Sequence, residues 1–268
     1  MKIQVVSDLH LEFGNIQIDN AGAEVLVLSG DIGVADSISK YKTAYGFYQE
    51  FFEHISCEFT DVIYTMGNHE HYHGEIDTSY GQIREAIQSM GIKNIHLLEQ
   101  ESVTIDDVVF IGGTLWTNMN NYDPLTMYHI REMMNDFRYI RVAKDGYRKF
   151  TPRDACEIFG RTVRYIEHVI ENNYDKEIVV CTHHAPSFHS VPDEFISDTL
   201  MNGGYASNLE DFILDHPQIR LWTHGHMHGY KSYMIGDCLI VNNARGYKNY
   251  GENQFFNPNL IVDLQQNA

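Results

Sequence analysis

Five short polar groups carry most of the side chains able to hold a metal or move a proton: Asp8-Leu9-His10, Gly30-Asp31, Gly67-Asn68-His69-Glu70, His183-His184 and Gly225-His226-Met227-His228. Their carboxylate, imidazole and amide groups include no thiolate, a hard to borderline donor set suited to manganese, iron, zinc or similar divalent ions. A carboxylate such as Asp31 can bridge two such ions. Glycines before Asp31, Asn68 and His226 permit tight turns that bring the backbone close to a metal. Bound cations would also reverse the local sign of an acidic surface, so that an anionic substrate could approach.

The elements that must position these groups are short apolar or β-branched runs at residues 2–6, 25–28, 62–65, 108–111, 178–181 and 219–223. Five of these runs lead directly into one of the polar groups. Ligands of open α/β sheets gather beyond the carboxyl ends of strands, so groups distant in sequence are expected to converge there. Between the runs, Tyr41, Ala44, Tyr45, Tyr48, Phe51, Phe52 and Ile55 repeat at helical spacing. Thr151-Pro152 opens a second helix carrying Cys156, Phe159, Val163, Ile166 and Ile170. Closely spaced strands at 232–235, 239–242 and 260–264 suggest a more antiparallel finish, hence a mixed sheet system. Residues 118–150 fit the alternation poorly and are rich in methionine, tyrosine and arginine. They are expected to pack as core or to cap the site of an otherwise single domain spanning 1–268.

Composition narrows the function. The chain has 268 residues, 43% of them hydrophobic, enough for a sizeable core. Its formal net charge of −18 disfavours long nucleic acid as a partner unless bound cations intervene. The start, MKIQVVSDLH, reads as neither a secretory signal nor a membrane span, so a cytoplasmic protein that binds no membrane is expected. The four cysteines lie far apart without CxxC spacing and are expected to be buried, reduced packing residues.

Together, Asp8-x-His10, Gly30-Asp31, Gly67-Asn68-His69-Glu70, His183 and Gly225-His226-x-His228 resemble the signature of the calcineurin-like metallophosphoesterase superfamily, over residues 8–228. The resemblance implies an α/β fold, a two-sheet mixed β sandwich flanked by helices, with a dinuclear metal centre. One ion would be held by Asp8, His10, Asp31 and His228, the other by Asp31, Asn68, His183 and His226, with Asp31 as the catalytic bridge. Manganese is the expected ion; iron, zinc, nickel or cobalt would also fit. The implied reaction is phosphoester hydrolysis by attack of a metal-bound hydroxide. His69, matching the family's catalytic histidine, would protonate the leaving oxygen, and His69 and Asn68 would touch substrate. Glu70 or another nearby carboxylate would hold the His69 tautomer.

Simpler roles remain for single residues. Alone, Asp31 would cap a helix and Asn68 would occupy a turn, but their joint occurrence with the histidines overrides both. His71, His73, His184, His189 and His224 are read as ordinary polar or partly buried histidines, with contact to substrate or to the ligands as the alternative, and His54, His96, His129, His168 and His216 as unrelated to the site. Arg245, in Asn-Asn-Ala-Arg-Gly-Tyr after a strand, could grip a phosphate or form a surface ion pair. The phosphoprotein phosphatase branch carries arginines in its Gly-Asp block and before Gly-Asn-His-Glu; here these blocks read GDIGVADS and YTMGNHE. THHAPS, GTLWTN and ARGY resemble instead a bacterial and phage-type metallophosphoesterase group, which names no substrate. The expected activity is a phosphodiesterase acting on a nucleotide or other small soluble phosphoester. A phosphomonoesterase or nucleotidase, a nuclease, or a non-enzymatic scaffold are the alternatives.

Overall fold

Thirteen strands form two large mixed sheets and one small one, in a computed structural model that describes residues 1–39, 42, 44–248 and 252–266. The first sheet contains β1 (Lys2–Val6), β2 (Val25–Ser29), β3 (Asp61–Thr65), β4 (Ile95–Leu98) and β13 (Ile261–Asp263), in the order β13-β1-β2-β3-β4. Strands β1 to β4 run parallel, and β13 closes the edge antiparallel to β1. The second contains β5 (Glu101–Ile105), β6 (Val108–Gly113), β9 (Glu177–Thr182), β10 (Ile219–His224), β11 (Tyr230–Ile235) and β12 (Cys238–Asn243), ordered β11-β12-β10-β9-β6-β5. Its inner four strands are parallel, while β5 and β11 form antiparallel edges. The pair β7 (Arg141–Val142) and β8 (Arg148–Lys149) stands apart.

The helical elements are α1 (Ala35–Ile38), α2 (Tyr45–Glu58), α3 (Ser79–Ser89), α4 (Met119–Tyr122), α5 (Pro124–Met133), α6 (Asp136–Tyr139), α7 (Pro152–Glu171), α8 (Thr199–Asn202) and α9 (Glu210–Asp215). Strand alternation explains the layering. Val25 and Val27 of β2 face inward onto Phe110, Val179 and Leu221 of the other sheet, while Leu26 and Leu28 face outward onto Tyr48, Phe52 and Ile55 of α2. In β9, Val179 and Cys181 face inward, while Ile178 and Val180 meet Ile166 and Ile170 of α7. The result is helix, sheet, sheet, helix, with both sheets buried on two faces as parallel strands require. Burying one such Leu or Ile is worth about 1.5–3 kcal/mol.

Helix α7 begins where Thr151-Pro152 predicts. The Thr151 hydroxyl accepts from the Asp154 N–H at 3.3 Å, the Asp154 carboxylate accepts from the Thr151 N–H at 2.8 Å, and Pro152 occupies the first turn. The α2 stripe is buried at Tyr48, Phe51, Phe52 and Ile55; Tyr41, its expected first member, lies outside the described residues.

Several elements differ from the expectations. Strand β4 carries a half-exposed His96 in a run of only four residues, and β5 alternates too weakly in polarity to stand out. Helix α3 is likewise a structural addition. Cys57 is exposed near the end of α2, unlike the buried Cys156, Cys181 and Cys238; all four are free thiols. Residues 118–150 form a cluster of short pieces around Trp116, Ile130, Met134, Phe137 and Phe150. Within it α4 is wound left-handed, with φ near +50 to +63° from Met119 to Tyr122, and Asn118 Oδ1 accepts from the Asn121 N–H at 3.2 Å. No helix among the described residues is long and apolar enough to cross a membrane.

Candidate metal centre

The carboxyl ends of β1, β2 and β3 from one sheet meet those of β9 and β10 from the other, and the five polar groups converge there. Ligand atoms of Asp8, His10, Asp31 and His228 lie within 4.8 Å of one another, as do those of Asp31, His183 and His226. Asn68 joins the second group, its Oδ1 2.9 Å from His183 Nε2. Asp31 belongs to both, with Oδ2 at 3.8 Å from His10 Nε2 and 3.4 Å from His183 Nε2. Its other oxygen accepts from the His69 backbone N–H at 2.8 Å.

Backbone conformation builds this crowding. Asp8, His10, Asp31, His226 and His228 all have φ between +42° and +68°, the left-handed region that side chains seldom adopt. Three glycines of the site are required by space, Gly30 among them, where a β-carbon would lie 2.4 Å from His183 Nδ1. A β-carbon on Gly67 would lie 2.2 Å from Asp31 Oδ1, and one on Gly225 would lie 2.4 Å from Asp8 Oδ2.

The outer nitrogens of three histidines are already engaged. His183 Nδ1–H donates to the Ser29 carbonyl at 2.9 Å, His10 Nδ1–H to Glu12 at 3.3 Å, and His228 Nδ1–H to Glu252 at 2.6 Å. Such partners fix the tautomer and leave the Nε2 lone pairs directed at the centre. There, His10 Nε2 and His228 Nε2 face each other at 3.2 Å, and the buried His226 Nε2 has no hydrogen-bond partner. Two facing acceptors need a proton or a cation between them.

Charge points the same way. Burial alone would raise the Asp8 and Asp31 carboxyls, yet the neighbouring histidines hold both below the ordinary carboxylate range. In return, and against its own burial, His183 is pushed up to about 9 by Asp31 and Asp8, and His228 to about 10 by Asp8 and Glu252. Two buried carboxylates thus demand positive charge at this spot. A divalent cation would satisfy that demand, the facing nitrogens and the unpartnered His226 together, so the donor set fits a metal.

His69 sits beside the cluster, its ring stacked on Tyr72 with centroids 4.1 Å apart. Its Nδ1 lies 3.3 Å from Glu12 and its Nε2 3.0 Å from the Tyr247 hydroxyl. Glu70 does not orient it. That carboxylate is buried behind the site, where it accepts from the N–H groups of Asp31, Ile32 and Gly67 and from the Tyr64 hydroxyl. Glu12 makes the contact with His69 instead. Arg245 does not face the cavity: its guanidinium donates to the carbonyls of Leu9 and Gly14 at 2.8 Å and of Asn15 at 3.1 Å, tying down the loop after His10.

The remaining histidines separate by place. His224 is enclosed and bonded to Ser190 and the Gly225 carbonyl, and burial lowers it to about 4. His184 is buried between Trp116 and His226, with Nδ1 3.2 Å from the Thr114 carbonyl. His71 is buried, and His73 packs on Tyr139. His189 lies 3.7 Å from Glu210 at the surface.

Four functional neighbours were not anticipated. Glu12 lies two residues past His10, a short-range signal that the run Leu-His-Leu-Glu does contain. Tyr247 ends the ARGY run but was not singled out there, and Glu252 follows β12 with no local motif to mark it. Asp136 on α6 is buried and lines the same cavity as Asn68, and burial raises its carboxyl to about 6. A cavity of about 510 Å³ opens from Asp31, Asn68 and His69 toward Met133, Phe195 and Met201.

Comparison with known proteins adds relatives of the chain as a whole. An uncharacterized protein of Acanthamoeba polyphaga mimivirus is 29% identical over 289 residues, covering 98% of this chain and 97% of the viral protein. The crystal structure of phosphopantetheinyl hydrolase from Mycobacterium tuberculosis superposes with a TM-score of 0.66 at 13% identity, covering 92% of this chain and 90% of that one, a likeness of fold. The profile described as calcineurin-like phosphoesterase matches residues 1–230, and the chain belongs to that family.

Proposed function

We propose that the protein is a dinuclear metal-dependent phosphodiesterase acting on a nucleotide or another small soluble phosphoester. The observation that carries this reading is the convergence of the seven donors Asp8, His10, Asp31, Asn68, His183, His226 and His228 into two groups sharing Asp31. Asp8, His10, Asp31 and His228 would hold one ion, and Asp31, Asn68, His183 and His226 the other, manganese being the first choice. When bound, divalent ions supply Lewis acidity toward the phosphoryl oxygens and acidify water for in-line attack.

The chain's own groups do the rest. Glu12, Glu252 and the Ser29 carbonyl fix the ring orientations, and the Asn68 amide donates to the Tyr72 hydroxyl at 3.4 Å. His69 lines the cavity with Nε2 3.0 Å from the Tyr247 hydroxyl, and from there it would deliver a proton to the leaving oxygen. Residues 118–150 form one cavity wall through Met133, Met134, Asn135 and Asp136, supporting their reading as a cap on a single domain. A diester is favoured because the two arginine positions that the phosphoprotein branch uses to grip a monoester are not arginine here. The name of the mycobacterial neighbour, a phosphopantetheinyl hydrolase, accords with hydrolysis of a phosphoester. Free thiols, three of them buried, accord with a reducing compartment such as the cytoplasm.

The test is hydrolysis of bis-p-nitrophenyl phosphate and p-nitrophenyl phosphate by protein stripped of metal and reloaded with manganese, with Asp31→Asn as control. Faster diester cleavage, lost in the variant, is expected. A monoester preference would move the assignment to a nucleotidase or phosphatase, and activity on DNA to a nuclease.

A further inference from the structure

The cavity beside the metal centre is asymmetric in charge and polarity. At its inner end are the metal donors, where a phosphoryl group would be held. Beyond them, its charged side chains are the carboxylates of Asp136, Asp198 and Glu252, and no lysine or arginine lines it among the described residues. Glu252 is engaged by His228 and by the Tyr247 N–H. Asp198 accepts from the Met201 N–H at 3.2 Å, yet its side is exposed at the mouth. The lining also carries thioether and phenyl groups: Met133, Phe195 and Met201, the first two with 56% and 55% of their surface accessible. Large apolar side chains left open beside a polar centre mark a binding surface.

Sites for pyrophosphate or several phosphates use arginine forks, lysines or glycine-rich helix starts to offset each added charge. This cavity offers cations only at one end, and the chain carries a net charge of −18 around it. A second phosphate on the substrate would leave the metal end and meet carboxylates in a partly desolvated space. We infer that the organic arm of the substrate is apolar and uncharged or cationic, so that a single phosphoryl group is accepted and arms bearing a further phosphate are rejected. The volume of about 510 Å³ suits an arm of nucleoside size. This rests on the phosphoesterase reading and narrows it: nucleoside diphosphates and triphosphates are excluded, while simple nucleotide diesters and esters of amino alcohols are admitted.

Four diesters sharing one leaving group isolate the arm: p-nitrophenyl phenyl phosphate, thymidine 5′-(p-nitrophenyl phosphate), p-nitrophenyl phosphorylcholine, and the thymidine ester carrying an added 3′-phosphate. Manganese-loaded protein is expected to show kcat/KM at least about tenfold higher for the plain thymidine ester than for its 3′-phosphorylated form, with the phenyl and choline esters on the favoured side. Phe195→Lys, which brings a cation to the mouth, is expected to shrink that ratio severalfold. Equal or faster cleavage of the phosphorylated ester overturns the inference, and an unchanged ratio in Phe195→Lys overturns its assignment to this cavity. Cleavage of none of the four sinks the phosphoesterase reading instead. The arm rule is then read from thermal shifts of the manganese-loaded protein with the same ligands, where equal stabilisation by the phosphorylated and plain thymidine esters would overturn it.

Discussion

His69 receives a carboxylate on one ring nitrogen and a phenol on the other, so its chemistry is set by two side chains far from it in sequence. Replacing His69 with Asn should lower kcat about 100-fold or more on esters of alkyl alcohols, which need a proton on departure, and less on p-nitrophenyl esters. Metal content measured by emission spectroscopy should stay unchanged, since His69 is not among the proposed ligands. Tyr247→Phe should show the same leaving-group dependence more weakly; equal losses on both ester types would make Tyr247 a packing residue. Behind the site, Glu70 satisfies four donors at once. Glu70→Gln replaces one acceptor oxygen with an NH₂ group and should cost about 1–3 kcal/mol in urea unfolding, by leaving buried donors unpaired. The proposed ligand residues stood out in the sequence because each sits one to four residues past a strand. Glu12 was half legible, and Glu252 was not, because only the path of the loop after β12 carries it to His228. Arg245 misled for a related reason: a guanidinium near the site suits phosphate, but the carbonyls of the Leu9 to Asn15 loop claim it first.

At the scale of elements, two devices can be separated by their effects. The Thr151 cap of α7 lies at the outer face, so Thr151→Ala should cost about 1 kcal/mol of stability, seen as a lower urea midpoint, while specific activity per folded molecule stays constant. The turn at Gly225 does the reverse. A β-carbon there would meet Asp8 Oδ2 at 2.4 Å, so Gly225→Ala should lower metal occupancy and activity well before it unfolds the sheets. The buried parallel strands were readable as continuous apolar runs, and α7 as a capped stripe. Strands β4 and β5 escaped because a short run with one polar member, and an edge strand with intermediate burial on one face, lack the contrast that periodicity needs. Residues 118–150 resisted because their order comes from tertiary packing around Trp116 and from a left-handed turn, neither of which has a sequence period.

At the scale of the molecule, the centre lies on the joint between the sheets: Asp8, Asp31 and Asn68 follow strands of the first, His183, His226 and His228 strands of the second. A metal ion held there would therefore bind the docked sandwich and not its parts. Chelation should lower Tm, and readdition should restore it in a concentration-dependent way, by about 2.7 kcal/mol of stability when free metal reaches about 100 times its Kd. A Tm indifferent to chelator would show that the donors do not hold an ion that stabilises the fold. The sequence listed the donors in order but not the docking, which depends on inward-facing residues such as Val27, Phe110 and Val179 finding one another across the two sheets.

Five of the proposed ligands share a left-handed backbone that disfavours any residue with a side chain, at a cost on the order of 1 kcal/mol each. Glycine at such a position relieves the strain. A metal-free His10→Gly protein should therefore match or exceed the metal-free parent in Tm while losing hydrolysis. If those residues do hold metal, a descendant of this chain released from selection for catalysis would be drawn by stability alone to exchange them first.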